Sequence, residues 1–236
     1  MRFVDCRYGT GRAEGGYEDY LAAHIPGAAY ADTERDLTGP QGDGRHPLPS
    51  ADALAAWASA AGIGPGTLVV AYDQGTGWAD RLWWLLRHHG HDACATIPFA
   101  AWRGPLAAGE ERLEPATFAP RPRADDTASA EEILARLGDP RLVLYDARSP
   151  ERWRGEREPL DPVAGRITGA CNAFHREPLP AEALAAEELV FYCGSGVSAC
   201  TPLHAAVLAG RGDARLYPGS WSDWISRDLP VEKGEP

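Results

Sequence analysis

The amino-acid sequence predicts an α/β protein built from two tandem units, each a mainly parallel sheet with helices on both faces. Three observations lead there. The chain has 236 residues, about twice a typical domain. Short apolar runs such as Leu68 to Tyr72 and Leu142 to Tyr145 read as buried strands, and helix-like stretches separate them. The chain also repeats itself in order. Phe3-Val4-Asp5-Cys6-Arg7 is echoed by Leu144-Tyr145-Asp146-Ala147-Arg148, and Ala23 to Ala28 by Gly165 to Ala170. Leu68 to Asp73 is echoed by Leu189 to Cys193, and Pro98-Phe99-Ala100-Ala101-Trp102 by Pro218 to Trp224. Four echoes in one order indicate duplication of a folding unit.

The elements follow from local signals. Ser50 opens a helix over Ala51 to Ala61, and Ser129 with Glu132 forms a capping box before Ala130 to Leu137. Further helices are expected over Trp78 to His89 and Ala199 to Ala209. Pro115 to Thr127, with its prolines and charges and no apolar period, reads as a connector, so domains are set at 1–118 and 128–236 with a linker at 119–127. Asp32 to Pro49 is a long loop of the first half, and a loop of that length inside a domain points to function.

Charge and composition remove whole classes. A net charge of −11 repels phosphate backbones and anionic lipid, so neither nucleic acid nor a membrane is an expected partner. No apolar run approaches the roughly 20 residues that span a bilayer, and the start Met1-Arg2-Phe3-Val4-Asp5 has no signal-peptide pattern. Five cysteines, without a zinc-type spacing, predict no metal site and no disulfide framework, and a cytoplasmic location. Cys6, Cys94, Cys171 and Cys200 are expected to pack, Trp83 and Trp84 to be core, and Trp221 and Trp224 to pack or to wall a pocket.

The chemistry centres on Cys193-Gly194-Ser195-Gly196-Val197-Ser198-Ala199, which lies between a strand and a helix. Ligands bind at the carboxyl ends of strands in such sheets. Two glycines let the chain curl so that several amides face one centre, and the following helix adds the positive end of its dipole. A thiol there is stabilised as the nucleophilic thiolate without any basic residue in the loop, and a persulfide would be held equally well. The first half has Asp73-Gln74-Gly75-Thr76-Gly77 at the corresponding place. It keeps glycines but has no thiol, so one half is read as active and the other as inactive.

Taken together, the sequence resembles the tandem-domain sulfurtransferases of the rhodanese family along nearly its full length. The resemblance is carried by Tyr20 with His24-Ile25-Pro26-Gly27-Ala28, His46-Pro47-Leu48-Pro49, Tyr72-Asp73 with Ala79 to Leu86, Asp146-Ala147-Arg148, Cys193 to Ala199, and Gly219 to Trp224. It implies transfer of a sulfane sulfur from thiosulfate or 3-mercaptopyruvate, through a Cys193 persulfide, to cyanide or a thiol, including a thioredoxin-like one, with no cofactor. The loop is similar to that of the mercaptopyruvate branch. By the same resemblance Ser195 bonds the donor and moves a proton, His46 relays protons near it, and Arg152 binds the donor's anionic group. Gly194, Gly196, Val197, Ser198 and Ala199 form the cradle, and Arg148 pairs with a carboxylate.

Several departures stand out. The first half starts directly at its Asp5-Cys6-Arg7 strand without the helix and strand that usually precede it, which implies a truncated domain or a start further upstream. Arg166 and Thr168 replace a usual His and Pro. The segment Arg154 to Pro162 is shorter than in the mercaptopyruvate branch, the role of a second substrate arginine is assigned to neither Arg154 nor Arg157, and Asp32 and Glu34 both remain candidate acid partners of His46. A cysteine phosphatase would need an arginine six positions after the cysteine, where Ala199 stands. The alternative function is a non-catalytic sulfur carrier or partner-binding module.

Overall fold

Buried apolar runs have to pair their backbone groups with one another, and in this chain they do so as two separate parallel sheets. The computed structural model describes residues 1–9, 15–40 and 42–235. Its first unit comprises Met1–Pro40 and Leu48–Arg123, and its second Gln41–Pro47 and Ala124–Pro236.

The first unit contains β1 (Arg2–Asp5), α1 (Gly15–Ala22), β2 (Ala29–Tyr30), α2 (Ala51–Ala60), β3 (Val69–Asp73), α3 (Trp78–His88) and β4 (Cys94–Pro98). Its strands lie in the order β2-β1-β3-β4, every pair parallel. The Ser50 side chain accepts from Ala53 N–H at the start of α2, as expected of the cap. In α3, Trp83 and Trp84 are buried, the core role expected of them.

The second unit contains α4 (Ala130–Ala135), β5 (Leu142–Asp146), α5 (Pro150–Trp153), β6 (Arg166–Ile167), β7 (Cys171–Asn172), α6 (Ala181–Ala185), β8 (Glu188–Tyr192), α7 (Cys200–Leu208), β9 (Arg215–Leu216), α8 (Ser220–Ser226) and β10 (Val231–Glu232). The order β7-β5-β8-β9 repeats that of the first unit, again all parallel. An antiparallel pair, β6 with β10, is added. Ser129 caps α4 by accepting from Glu132 N–H. Trp221 and Trp224 are fully buried in the core with Leu144, Val190 and Tyr192, so they pack rather than wall a pocket.

The duplication extends to individual bonds. Arg7 grips Asp5 at 2.6 Å and lies 4.2 Å from the centre of the Phe99 ring, while Arg148 grips Asp146 at 2.6 Å and lies 4.5 Å from that of Trp221. Tyr72 Oη accepts from Ile25 N–H at 3.2 Å, and Tyr192 Oη from Ile167 N–H at 3.1 Å. His24 meets Glu111 in the first unit. Arg166 pairs with Glu232 in the second, its guanidinium 4.3 Å from the Trp153 ring centre. The Arg166 departure therefore keeps a tie to a glutamate and adds a stacking contact.

The structure adds detail at three places. Pro115 to Arg123 is bonded along the first unit: Ala116 N–H and Phe118 N–H donate to Ser59 (backbone oxygen and Oγ), Arg121 N–H to His89 and Arg123 N–H to His88. Ala128 N–H donates to Leu216 in the second unit. Irregular backbone without apolar periodicity has here found partners on an existing surface. The loop from Asp32 to Pro49 divides, its middle counting with the second unit. Cys171, expected to pack, is exposed; it opens a two-residue strand at the edge of its sheet.

Candidate active site

Cys193 follows β8 directly and is 2% exposed. Its own N–H donates to Ser220 Oγ at 3.1 Å, and its carbonyl accepts from Trp221 N–H at 2.9 Å. Ser220 holds a left-handed φ of +55° and passes its hydroxyl proton to Tyr217 O at 2.9 Å, so a strained, buried serine anchors the strand end. Gly196 N–H points at Cys193 Sγ from 3.2 Å. Gly196 has φ +79°, and a Cβ there would lie 2.3 Å from Pro218 O, so only glycine fits this turn. Among the described residues, the amides of Ser195, Val197, Ser198 and Ala199 donate to no other group.

The corresponding turn of the first unit shows what such a turn holds. Asp5 pairs with Tyr72 in one sheet and Asp146 with Tyr192 in the other, so Asp73 occupies the position of Cys193. The Asp73 carboxylate accepts from Gly75 N–H at 2.8 Å, Trp78 N–H at 2.8 Å, Ala79 N–H at 3.2 Å and Thr76 Oγ1 at 2.9 Å. Four donors converge on one anion. The same positions after Cys193 belong to Ser195, Ser198 and Ala199, whose amides would face a thiolate or its sulfur-extended form.

Around the loop stand residues from three segments of the second unit. His46 Nδ1 lies 2.7 Å from Ser195 Oγ, and Ser195 is 7% exposed. Arg152, on α5, bonds Glu158 through Nε at 3.0 Å and Nη2 at 2.7 Å. A Cβ on Gly194 would lie 2.9 Å from Arg45 Nη2 and 3.4 Å from Arg152 Nη2, so both guanidinium groups stand directly over the residue after the thiol. Arg148 pairs with Asp146 and also bonds Glu158 at 3.1 Å, the structural role expected of it. Asp32 caps its own turn, accepting from Glu34 and Arg35 N–H. Arg154 pairs with Glu156 at 2.7 Å and takes no place here.

Sequence reading missed Arg45, Glu158 and Asp161. Glu158, its side chain 2% exposed, accepts from Arg148, Arg152, Leu160 N–H and Asp161 N–H. Burial works to raise its pKa, but the Arg152 and Leu160 hydrogen bonds and the charges of Arg152 and Arg148 outweigh it and hold it below the usual carboxylate range. Asp161, its side chain 4% exposed, stands between Arg45 and Arg152, its pKa raised by burial against the pull of both arginines. The available signal was a pair of acids, Glu158 and Asp161, six and nine residues after Arg152 in a segment without apolar period.

A two-sheet α/β chain with a strand-end cysteine in an anion-binding turn defines a class that comparison with known proteins specifies. The Rhodanese-like domain family matches residues 1–97 and again 129–227, and the chain belongs to the rhodanese family, with two such domains in tandem. It is 43% identical to the "Probable 3-mercaptopyruvate sulfurtransferase" of Pseudomonas aeruginosa, over 98% of this chain and 92% of that protein. It is 35% identical to the 3-mercaptopyruvate sulfurtransferase of Rattus norvegicus, over 90% of this chain and 80% of that protein. The solved 3-mercaptopyruvate sulfurtransferase from Leishmania major superposes with a TM-score of 0.78 at 29% identity, covering 96% of this chain and 70% of that one. The chain is a sulfurtransferase of the 3-mercaptopyruvate and thiosulfate type, as its motifs led us to expect, and it acts on a small-molecule sulfur donor. Among the described residues no helix is long and apolar enough to cross a membrane.

Proposed function

We propose that Cys193 is the nucleophile and 3-mercaptopyruvate the preferred donor. The observation that carries the reading is the Cys193 thiol at the end of β8 with the Gly196 N–H on its sulfur at 3.2 Å. The thiolate attacks the donor sulfur, an S–S bond forms and the C–S bond breaks. The electron pair leaves as the enolate of pyruvate, which takes up a proton. Ser195, bonded to His46, is suited to deliver that proton to the donor. Arg152 offers a guanidinium fork to the donor's carboxylate. The amides of Ser195, Gly196, Val197, Ser198 and Ala199, with Gly194 giving room above the sulfur, stabilise the persulfide. An acceptor, cyanide or a thiol such as a thioredoxin-like one, then attacks the outer sulfur and regenerates the thiolate. The reading places the enzyme in the cytoplasm, where a nucleophilic thiol stays reduced.

The names of the curated relatives, two of them mercaptopyruvate enzymes, support the donor choice. The test compares turnover of 3-mercaptopyruvate and thiosulfate, with cyanide as acceptor, on one preparation of the wild type and of Cys193→Ser. The expected result is a higher kcat/KM with 3-mercaptopyruvate and no transfer from either donor by the variant. Preference for thiosulfate overturns the donor, and activity in Cys193→Ser overturns the nucleophile.

A further inference from the structure

Two arginines from distant parts of the sequence meet over Gly194. Arg45 belongs to the segment Gln41–Pro47 and Arg152 to α5. The Arg45 backbone is fixed: its N–H donates to Ser222 Oγ at 3.0 Å, and Gly44, at φ +77°, lies so close to Gly219 that a Cβ would come within 2.4 Å of its oxygen. Its side chain is equally directed. Nη1 is held by Asp161 Oδ1, while Arg152 Nη2 reaches Asp161 Oδ2 at 3.3 Å, so one buried carboxylate sets the spacing of both forks. Among the described residues Arg45 Nη2 and Arg152 Nη1 donate to no partner. Arg45 is 34% exposed at its side chain and open to a solute, and Arg152 is 17% exposed.

Unspent guanidinium donors of two arginines facing one space beside a nucleophile suit a planar anion with two oxygens. Resting on the reading of Cys193 as nucleophile, we infer that Arg45 binds the carboxylate of the sulfur donor together with Arg152, with Asp161 as the positioning residue that holds the two guanidinium groups at working distance.

The test uses two donors that differ in the carboxylate: 3-mercaptopyruvate and its uncharged analogue mercaptoacetone, with cyanide as acceptor. Loss of one charge-assisted contact to the carboxylate corresponds to roughly a tenfold rise in KM. Arg45→Met is therefore expected to raise KM for 3-mercaptopyruvate about tenfold, with kcat changed less than about threefold and KM for mercaptoacetone changed less than about twofold. Arg45→Lys is expected to recover part of the loss, and Asp161→Asn to give a smaller rise with the same donor selectivity. Thermal melting of each variant within about 2 °C of wild type separates binding from folding. If Arg45→Met alters both donors in equal proportion, or neither, the assignment of Arg45 is overturned while the Cys193 reading stands. If wild-type protein transfers sulfur from neither mercapto donor, the parent reading falls, and the carboxylate assignment with it.

Discussion

Replacing Gly196 by alanine tests the turn that holds the thiol. The backbone there has φ +79°, a conformation that costs a residue with a Cβ about 1–2 kcal/mol. The added methyl would also stand 2.3 Å from Pro218 O and 3.1 Å from Pro218 C. Those atoms belong to a backbone tied down on either side, Tyr217 N–H to Phe191 O at 2.9 Å and Trp221 N–H to Cys193 O at 2.9 Å, so relief requires a main-chain shift costing about 1–3 kcal/mol more. A total of about 3 kcal/mol lowers the melting temperature by about 10 °C in a chain of this size. The shift also draws the Gly196 N–H away from Sγ, and turnover falls at least about tenfold. Gly194→Ala is the internal control. Its φ carries no left-handed strain, and the three atoms nearest its methyl are the flexible ends of Arg45 and Arg152, so stability changes by less than about 1 kcal/mol while KM for an anionic donor rises. Differential scanning fluorimetry and steady-state kinetics on the two variants decide it. A Gly196→Ala protein that melts within about 1 °C of wild type and keeps full turnover would refute the description of the loop.

Two further predictions follow from the same geometry. Glu158 has a pKa held below that of an unfolded glutamate, so it stabilises the fold above about pH 4.3 and ceases to do so as pH falls through its folded value; Glu158→Gln should cost about 3 kcal/mol at pH 7 by stripping Arg148 and Arg152 of a buried partner. The gap between the urea denaturation midpoints of the two proteins should shrink as pH falls through the folded value of Glu158, and a gap that does not change with pH would contradict the charge role. Asp73→Ala leaves four donors without an acceptor in a nearly closed site and should cost about 2–4 kcal/mol, part of it restored by sulfate, which should raise the melting temperature of the variant more than that of wild type.

Much of this architecture is legible in the sequence because it rests on short-range rules. Val69 to Asp73 and Leu142 to Asp146 are apolar runs with β-branched or aromatic members, and Ser50 and Ser129 cap the helices they precede. The duplication could be read from ordered echoes, and the structure extends it to Arg7–Asp5 with Arg148–Asp146. The cysteine loop is legible for the same reason, as glycines at fixed offsets between a strand and a helix. What escapes is long-range. Arg45 lies in a Gly, Pro and charge-rich loop with nothing local to say that its side chain ends over Gly194, more than a hundred positions away. Glu158 and Asp161 look like surface acids until the fold buries them against arginines. Asp73 reads as the loss of a thiol, whereas its carboxylate accepts from the amides of its own turn at the position that Cys193 takes in the second unit.

Where the transferred sulfur resides decides the role of Cys193. Wild-type protein treated with 3-mercaptopyruvate in the absence of acceptor, digested with its thiols blocked and mapped by mass spectrometry, should carry one additional sulfur atom on the peptide containing Cys193, removed by cyanide as thiocyanate. Extra sulfur on Cys6, Cys94, Cys171 or Cys200 instead, or on no cysteine while turnover continues, would contradict it.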